Sequence, residues 1–330
     1  MMMASVGVAG GVLLGSALCT LLGGPMVIRG FIAQQWIQPI RYEDCPPLQP
    51  YQAAKRGTPT MGGLWVLAMA MLVAVIAGGL GCREGWVVLG AVIAMGLVGL
   101  TDDLLKLKRP NAKGLRPMPK LAATLIIGGI VGWLLRDPGF GYRQLVVPWT
   151  GTRVTVGWLW VPMAMGVVAG SAHAVNLTDG MDGLAAGCLV LAFAALGVWT
   201  RLETSPAALT IWCASLAGAC AGFLWFNTAP ASIFLGDVGA LGLGAALGLL
   251  ALLSHASLAL VILGGVFVAE AVSVMLQVAS YRWRNKRRIF RVAPLHHHFH
   301  LGGLSEQNVV VRFWIAGLLL AALGLCAWSR

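Results

Sequence analysis

The sequence predicts an all-α polytopic membrane protein, a single domain (1–330) of about ten transmembrane helices. Three observations carry that prediction. Hydrophobic residues make up 58% of the chain and charged residues only 11%, where a soluble domain carries about 25% charged residues. Apolar runs of membrane-spanning length recur from one end to the other. Five of the twelve acidic residues fall at the ends of those runs. No soluble domain, low-complexity tail or fixed repeat is visible, and nothing points to a nucleic-acid partner.

The spans are expected at about 4–28, 59–80, 86–105, 118–135, 158–175, 184–200, 207–226, 240–254, 257–281 and 309–329. The first has no basic residue before its apolar run, and Arg29 follows it. It therefore reads as an attached helix rather than a cleaved signal peptide. The third closes in GLTDDLLK. Between the fourth and fifth, segment 136–158 has β-branched runs around a Pro-Trp-Thr-Gly turn and reads as a small external hairpin. The fifth runs into NLTDGMDG and the seventh into FLGDVG. The eighth is short and glycine-rich, so a tilt or break is expected there. The ninth carries Glu270, which must face the bundle or a cavity, and leads into a basic, histidine-rich stretch. The seven cysteines form no CxxC pair and read as small buried hydrophobes.

Charge sets the expected topology. The connections after the first, third and ninth spans hold seventeen of the 23 Lys and Arg residues. Positive charge marks the cytoplasmic side, which puts these loops inside and both termini outside. Every polar motif follows an odd-numbered span, so all are expected on that one face.

Carboxylates are costly near hydrocarbon and mark function. Five at one surface point to a divalent cation and a phosphorylated substrate. Asp102 and Lys106 are four apart and share a helix face, with Asp103 about 100° away. A helix-end ion pair would need only one carboxylate, whereas two adjacent ones call for a cation. Asn176, Asp179 and Asp182 are spaced by three, on one face if the segment is helical, though its glycines permit a break. A polar cap between two helices is the plain alternative. Asp237, between glycines at a helix start, can cap that helix or bind magnesium, which favours oxygen ligands.

His296, His297, His298 and His300 lack the cysteine pairs and spacing of a zinc site. Beside RWRNKRRIFR they suit phosphate or pyrophosphate, while the basic run can also hold the loop against anionic lipid. His173 and Glu270 read as satisfied structural groups. Phe234 is either core or a platform for a base.

Together KRGTPTMGG, GLTDDLLK, NAKGL, NLTDGMDGLA, FNTAPASIFLGDVG and PLHHHFH resemble the phospho-N-acetylmuramoyl-pentapeptide transferases, in the polyprenyl-phosphate N-acetylhexosamine-1-phosphate transferase superfamily. The match runs almost end to end. It implies ten helices around a cytoplasmic-side cleft in the bacterial inner membrane. It implies transfer of phospho-MurNAc-pentapeptide from UDP-MurNAc-pentapeptide to undecaprenyl phosphate, giving lipid I and UMP, with Mg²⁺ as cofactor. It implies a metal ligand at Asp237 and a catalytic aspartate pair at Asp102 and Asp103. Nucleotide contacts are implied at Lys55, Thr60, Asn176, Asp179, Asp182, Asn227 and Phe234. Phosphate-side histidines are implied at His296, His297 and His298, and basic residues near the phosphates at Lys106 and Lys113. A homodimer is compatible with the resemblance. His300 stands where a glutamate is expected, and Arg116-Pro117-Met118-Pro119 replaces small and polar residues. The alternatives are a GlcNAc-1-phosphate transferase and, in another class, an ion-coupled transporter.

Overall fold

The computed structural model describes residues 2–37, 55–108, 114–137 and 144–328. In chain order the elements are α1 (Met2–Ala33), α2 (Gly62–Ile76), α3 (Arg83–Lys108), α4 (Pro117–Leu134), β1 (Gln144–Val146), β2 (Arg153–Thr155), α5 (Trp160–Thr178), α6 (Leu184–Leu202), α7 (Ala207–Asn227), α8 (Gly236–Leu253), α9 (Leu260–Leu263), α10 (Gly265–Trp283), α11 (Leu295–His300) and α12 (Glu306–Cys326). Eight of these, α1, α3 to α8 and α12, are long and apolar enough to cross a membrane. The shorter apolar α2 and α10, which carries Glu270 and Arg282, occupy the two remaining expected spans. The outer faces are apolar, with Leu22, Trp225, Met275 and Leu319 exposed, as lipid-facing positions must be.

At the centre stands α8, buried at every position from Val238 to Leu253. It packs chiefly against α3 and α5, with α2 beside it. The expected break in this glycine-rich span does not occur: α8 is continuous. Its glycines are contact points instead. A Cβ on Gly244 would lie 2.6 Å from the Ser171 carbonyl oxygen, and one on Gly239 would lie 2.7 Å from the Gly63 Cα. Neighbouring backbones thus approach closely, as small residues allow in membrane bundles.

Other boundaries differ from expectation. The ninth span is interrupted at Gly264 (φ −101°, ψ 23°), which separates α9 from α10. The first helix continues past residue 28 to Ala33, with Pro25 inside it. The NLTDGMDG segment is not one helix. α5 stops at Thr178, Asp179 is its C-terminal flanking residue, and Asp182 lies on the turn before α6. Asn176, Asp179 and Asp182 therefore do not form a helical stripe.

The hairpin is present, β1 pairing antiparallel with β2 in the register Gln144↔Thr155, Leu145↔Val154 and Val146↔Arg153. The adjoining Trp149 N–H donates to the Ala327 carbonyl at 2.6 Å, and Arg153 Nη2 to Glu203 Oε2 at 3.1 Å. Glu203 also accepts from Trp328 Nε1 at 3.0 Å. The hairpin thus lies where α6 and α12 end. The acidic motifs lie at the opposite end of the bundle, where α3 and α5 end and α8 and α12 begin.

Candidate active site

Two backbone devices build the acidic centre. Asp103 Oδ2 accepts the Val238 N–H at 3.0 Å, which caps the first turn of α8 from outside that helix. Asp102 Oδ1 accepts the Leu115 N–H at 2.7 Å. Both approaches depend on glycine in the left-handed region. At Gly236 (φ 75°) a Cβ would stand 2.8 Å from Asp103 Oδ2, and at Gly114 (φ 73°) 2.7 Å from Asp102 Oδ1. Asp237 sits in the first turn of α8, where the helix dipole favours negative charge.

Oxygens of Asp102, Asp103 and Asp237 come within 4.8 Å of one another. Lys106 Nζ lies 2.5 Å from Asp102 Oδ2, 3.3 Å from Asp103 Oδ1 and 3.0 Å from Asp237 Oδ2. Lys120 Nζ contacts Asp237 Oδ2 directly and lies 3.7 Å from Asp102 Oδ2. Asn176 Nδ2 donates to Asp237 Oδ1 at 3.1 Å. Three carboxylates against two ammonium groups leave one net negative charge. The donor set is all oxygen and already gathers positive charge, which fits a hard divalent cation.

A second cluster adjoins it. Lys55 Nζ lies 2.6 Å from Asp182 Oδ1 and 2.5 Å from Glu306 Oε1. Asp182 also accepts the Ala231 N–H through Oδ2, and its own N–H donates to Glu306 Oε1 at 3.0 Å. Segment 59–63 is tied to 234–235 by three backbone bonds: Phe234 N–H to Pro59, and Gly62 and Gly63 N–H to Phe234 and Leu235. Half-buried Phe234 and buried Thr60 are thereby held near the Lys55 cluster. Asn227 is buried and committed to backbone, its Oδ1 accepting from Gly183 N–H and its Nδ2 donating to the Ile233 carbonyl.

The histidines divide on α11 and its flanks. His296 is fully buried, and its ring stands 4.1 Å from that of His297. Burial lowers the His297 pKa to about 3, with His296, His300 and Lys55 adding to the effect, so this ring stays neutral. His298 turns to the basic stretch, where its Nδ1 accepts the Arg291 N–H at 3.1 Å.

Asp179 lies between the clusters. Burial raises its carboxyl to about 7, and the negative Asp237, Asp103 and Asp182 push the same way. The folded protein holds this proton up to about 7, whereas an ordinary aspartate releases it near 3.8. The stability from this group is therefore complete below the ordinary value and is lost as pH rises through 7. In EDTA, the melting temperature of the wild type should fall relative to Asp179→Asn between about pH 4 and about pH 7. Parallel melting curves for the two proteins would contradict this assignment.

The structure brings Asp102, Asp103, Lys106, Asn176 and Asp237 into direct contact, and it joins Lys55 to Asp182. Lys113 lies outside the described residues. Two site residues were not singled out by sequence reasoning. Lys120 had a visible signal, a lone cation in the first turn of a membrane helix. Glu306 had little, because an acid in a first turn has an ordinary dipole explanation. The unusual Arg116-Pro117 opens α4 with proline at its start, a favoured place for it, and sets Lys120 in the first turn.

Between α5, α8, α9 and α10 an apolar cavity of about 220 Å³ is lined by Val167, Ala174, Leu247, Leu260, Phe267 and Val272, among others.

The family described as glycosyl transferase family 4 matches residues 85–255. The phospho-N-acetylmuramoyl-pentapeptide-transferase of Solidesulfovibrio magneticus is 41% identical over 286 residues, 82% of this chain and 80% of its own. That of Pelobacter propionicus is 40% identical over 324 residues, 93% and 88% of the two chains. That of Methylacidiphilum infernorum is 41% identical over 333 residues, 93% and 89%. With similarity at this level over nearly the whole length, and eight apolar helices of membrane-crossing size, the chain belongs to the phospho-N-acetylmuramoyl-pentapeptide-transferase family of multi-pass bacterial membrane transferases.

Proposed function

We propose that the protein transfers phospho-MurNAc-pentapeptide from UDP-MurNAc-pentapeptide to undecaprenyl phosphate, giving lipid I and UMP, with Mg²⁺ bound at the acidic centre. The names of the relatives support the donor class. The observation that carries the chemistry is the approach of three carboxylates within 4.8 Å, at the bundle end where the basic segments converge. That end faces the cytoplasm in this reading, and both termini lie outside.

Asp237 is the principal ligand, with Asp102 and Asp103 beside it. The metal, when bound, neutralises the pyrophosphate and the departing UMP. Catalysis of phosphoryl transfer is mostly positioning and charge stabilisation, and the chain's own residues do both. An oxygen of the lipid phosphate attacks the β-phosphorus, and the bond from that phosphorus to the bridging oxygen breaks, so that UMP leaves with the oxygen. The lipid phosphate is a monoester whose second pKa is about 6, so it needs little deprotonation at neutral pH. Asp102 and Asp103 each keep one oxygen on a backbone amide and turn the other toward Lys106. They orient the attacking phosphate or take a residual proton. Lys106 and Lys120 bring two positive charges to the place where two polyanions must meet, and Lys113 belongs to the same basic set. Lys55, Thr60, Asn176, Asp179, Asp182, Asn227 and Phe234 form the nucleotide side, Asn227 by shaping its loop. His296, His297 and His298 form the phosphate side. The apolar cavity between α5 and α10 suits part of the lipid tail.

The test is UMP release by purified protein in detergent, with undecaprenyl phosphate and Mg²⁺ supplied and two donors compared. Release with UDP-MurNAc-pentapeptide alone, abolished by EDTA, is the expected result. Release with UDP-GlcNAc alone would move the protein to the sibling reaction, and no release from a folded sample would refute both.

A further inference from the structure

Glu270 is a carboxylate with no part in the scheme above. It lies within α10, and its side chain is fully buried. An ionised carboxylate in such a place is strongly disfavoured unless a partner shares its charge. The partner is His296, equally buried. Glu270 Oε1 accepts the backbone N–H of His296 at 3.2 Å, and Oε2 lies 3.2 Å from His296 Nδ1. One carboxylate thus bonds the main chain of a histidine through Oε1 and sets Oε2 beside its ring, where Oε2 and both ring nitrogens are buried without another hydrogen-bond partner.

The far edge of that ring has its own constraint. A Cβ on Gly180 would stand 2.3 Å from His296 Nε2, so the ring is pressed against the backbone of the turn that carries Asp179 and Asp182. On its other side the ring meets His297. His296 itself has no exposed surface and therefore acts on the site through these neighbours.

We propose that Glu270 is a positioning residue for the donor side of the site. A single proton lies between its Oε2 and His296 Nδ1, fixing the tautomer and orientation of the ring, and the ring in turn fixes the Gly180 turn and His297. That proton is carried by Nδ1, so Nδ1 is committed to the Glu270 carboxylate and the bare Nε2 alone faces the turn. The partner nitrogen sets which ring nitrogen is available, as in other carboxylate–histidine pairs. The link to donor binding rests on the function proposed above; the proton assignment does not.

Glu270→Gln separates positioning from packing. Glutamine keeps the shape and can still accept the His296 N–H through Oε1, but it then presents an NH₂ donor to Nδ1. The ring must answer by moving its proton to Nε2. With ¹⁵N-histidine labelling in detergent, and the His296 signal identified by its loss in His296→Asn, the wild type should show a protonated Nδ1 and E270Q a bare one. E270Q should keep a melting temperature near that of the wild type. It should lose about 10–100-fold in kcat, the range for orienting partners of histidine ligands, with KM for the lipid phosphate unchanged. A bare Nδ1 in the wild type would overturn the proposal without any variant. So would E270Q with wild-type kcat, or a loss of activity matched by a loss of melting temperature with the tautomer unmoved. Absence of turnover with every donor would instead remove the proposed function, while the NMR result would still decide the proton's place.

Discussion

Asp237→Asn is expected to cut UMP release by about a hundred- to a thousandfold, the scale for losing one preorganised electrostatic contact to a reacting group, while the protein stays folded. Asp237 is the carboxylate on which the centre converges: Lys106, Lys120 and Asn176 all reach it. Asparagine keeps its volume but removes the charge, taking the cluster from one net negative charge to none, so a divalent cation loses its principal ligand and much of its attraction. The fold should hold, because the first turn of α8 is secured by Asp103 on the Val238 N–H and the rest of the helix is buried. Thermal unfolding and UMP release measured on the same preparation check both halves. Near-full magnesium-dependent activity in D237N would sink the role assigned to this residue.

Gly99→Val should be nearly as severe, although it removes no polar group. A Cβ at Gly99 would lie 2.3 Å from the carbonyl oxygen of Asp237 and 2.5 Å from its carbonyl carbon. Both are backbone atoms and cannot swing aside, so α3 and α8 must separate where each carries its carboxylates. A misplacement of about 1 Å can cost about a hundredfold in rate, and overpacking of this kind costs about 1–3 kcal/mol in stability. Gly90→Val is the control on the same helix. Gly90 has nothing within 4 Å of its Cβ position, and the variant should keep wild-type turnover. Equal activity in the two variants, read by initial rates of UMP release, would show that helix proximity at Gly99 does not set the geometry of Asp237.

Much of this was legible in the sequence because a bilayer imposes length and polarity on every span. The apolar runs mark the helices, and their polar ends mark one face of the bundle. Helical spacing brought Lys106 to Asp102. What stayed hidden depends on residues far apart in the chain. Lys120 meets Asp237 across 117 positions, and Glu306 meets Lys55 across 251. No local period encodes either contact. Glycines were legible as residues but not as roles: those of α8 read as a potential break, and they serve as close contacts because the neighbouring backbones press in. The same limit applies to Asn227, whose amide is taken up by Gly183 and Ile233. Its place in the sequence motif does not say whether it faces a ligand or a loop.

The central position of α8 also bears on how the protein is made. The helices that chiefly surround it, α2, α3, α5, α6 and α7, all precede it in the chain. During synthesis, the slot that receives α8 is therefore in the membrane before α8 emerges. A helix with no lipid-facing side from Val238 to Leu253 inserts into a prepared cup of protein. Asp237 arrives at its leading end to join Asp102 and Asp103. The acidic centre can then assemble before α10, α11 and α12 are translated, and the last part of the chain adds Glu270, the histidines and Glu306 to a centre already in place.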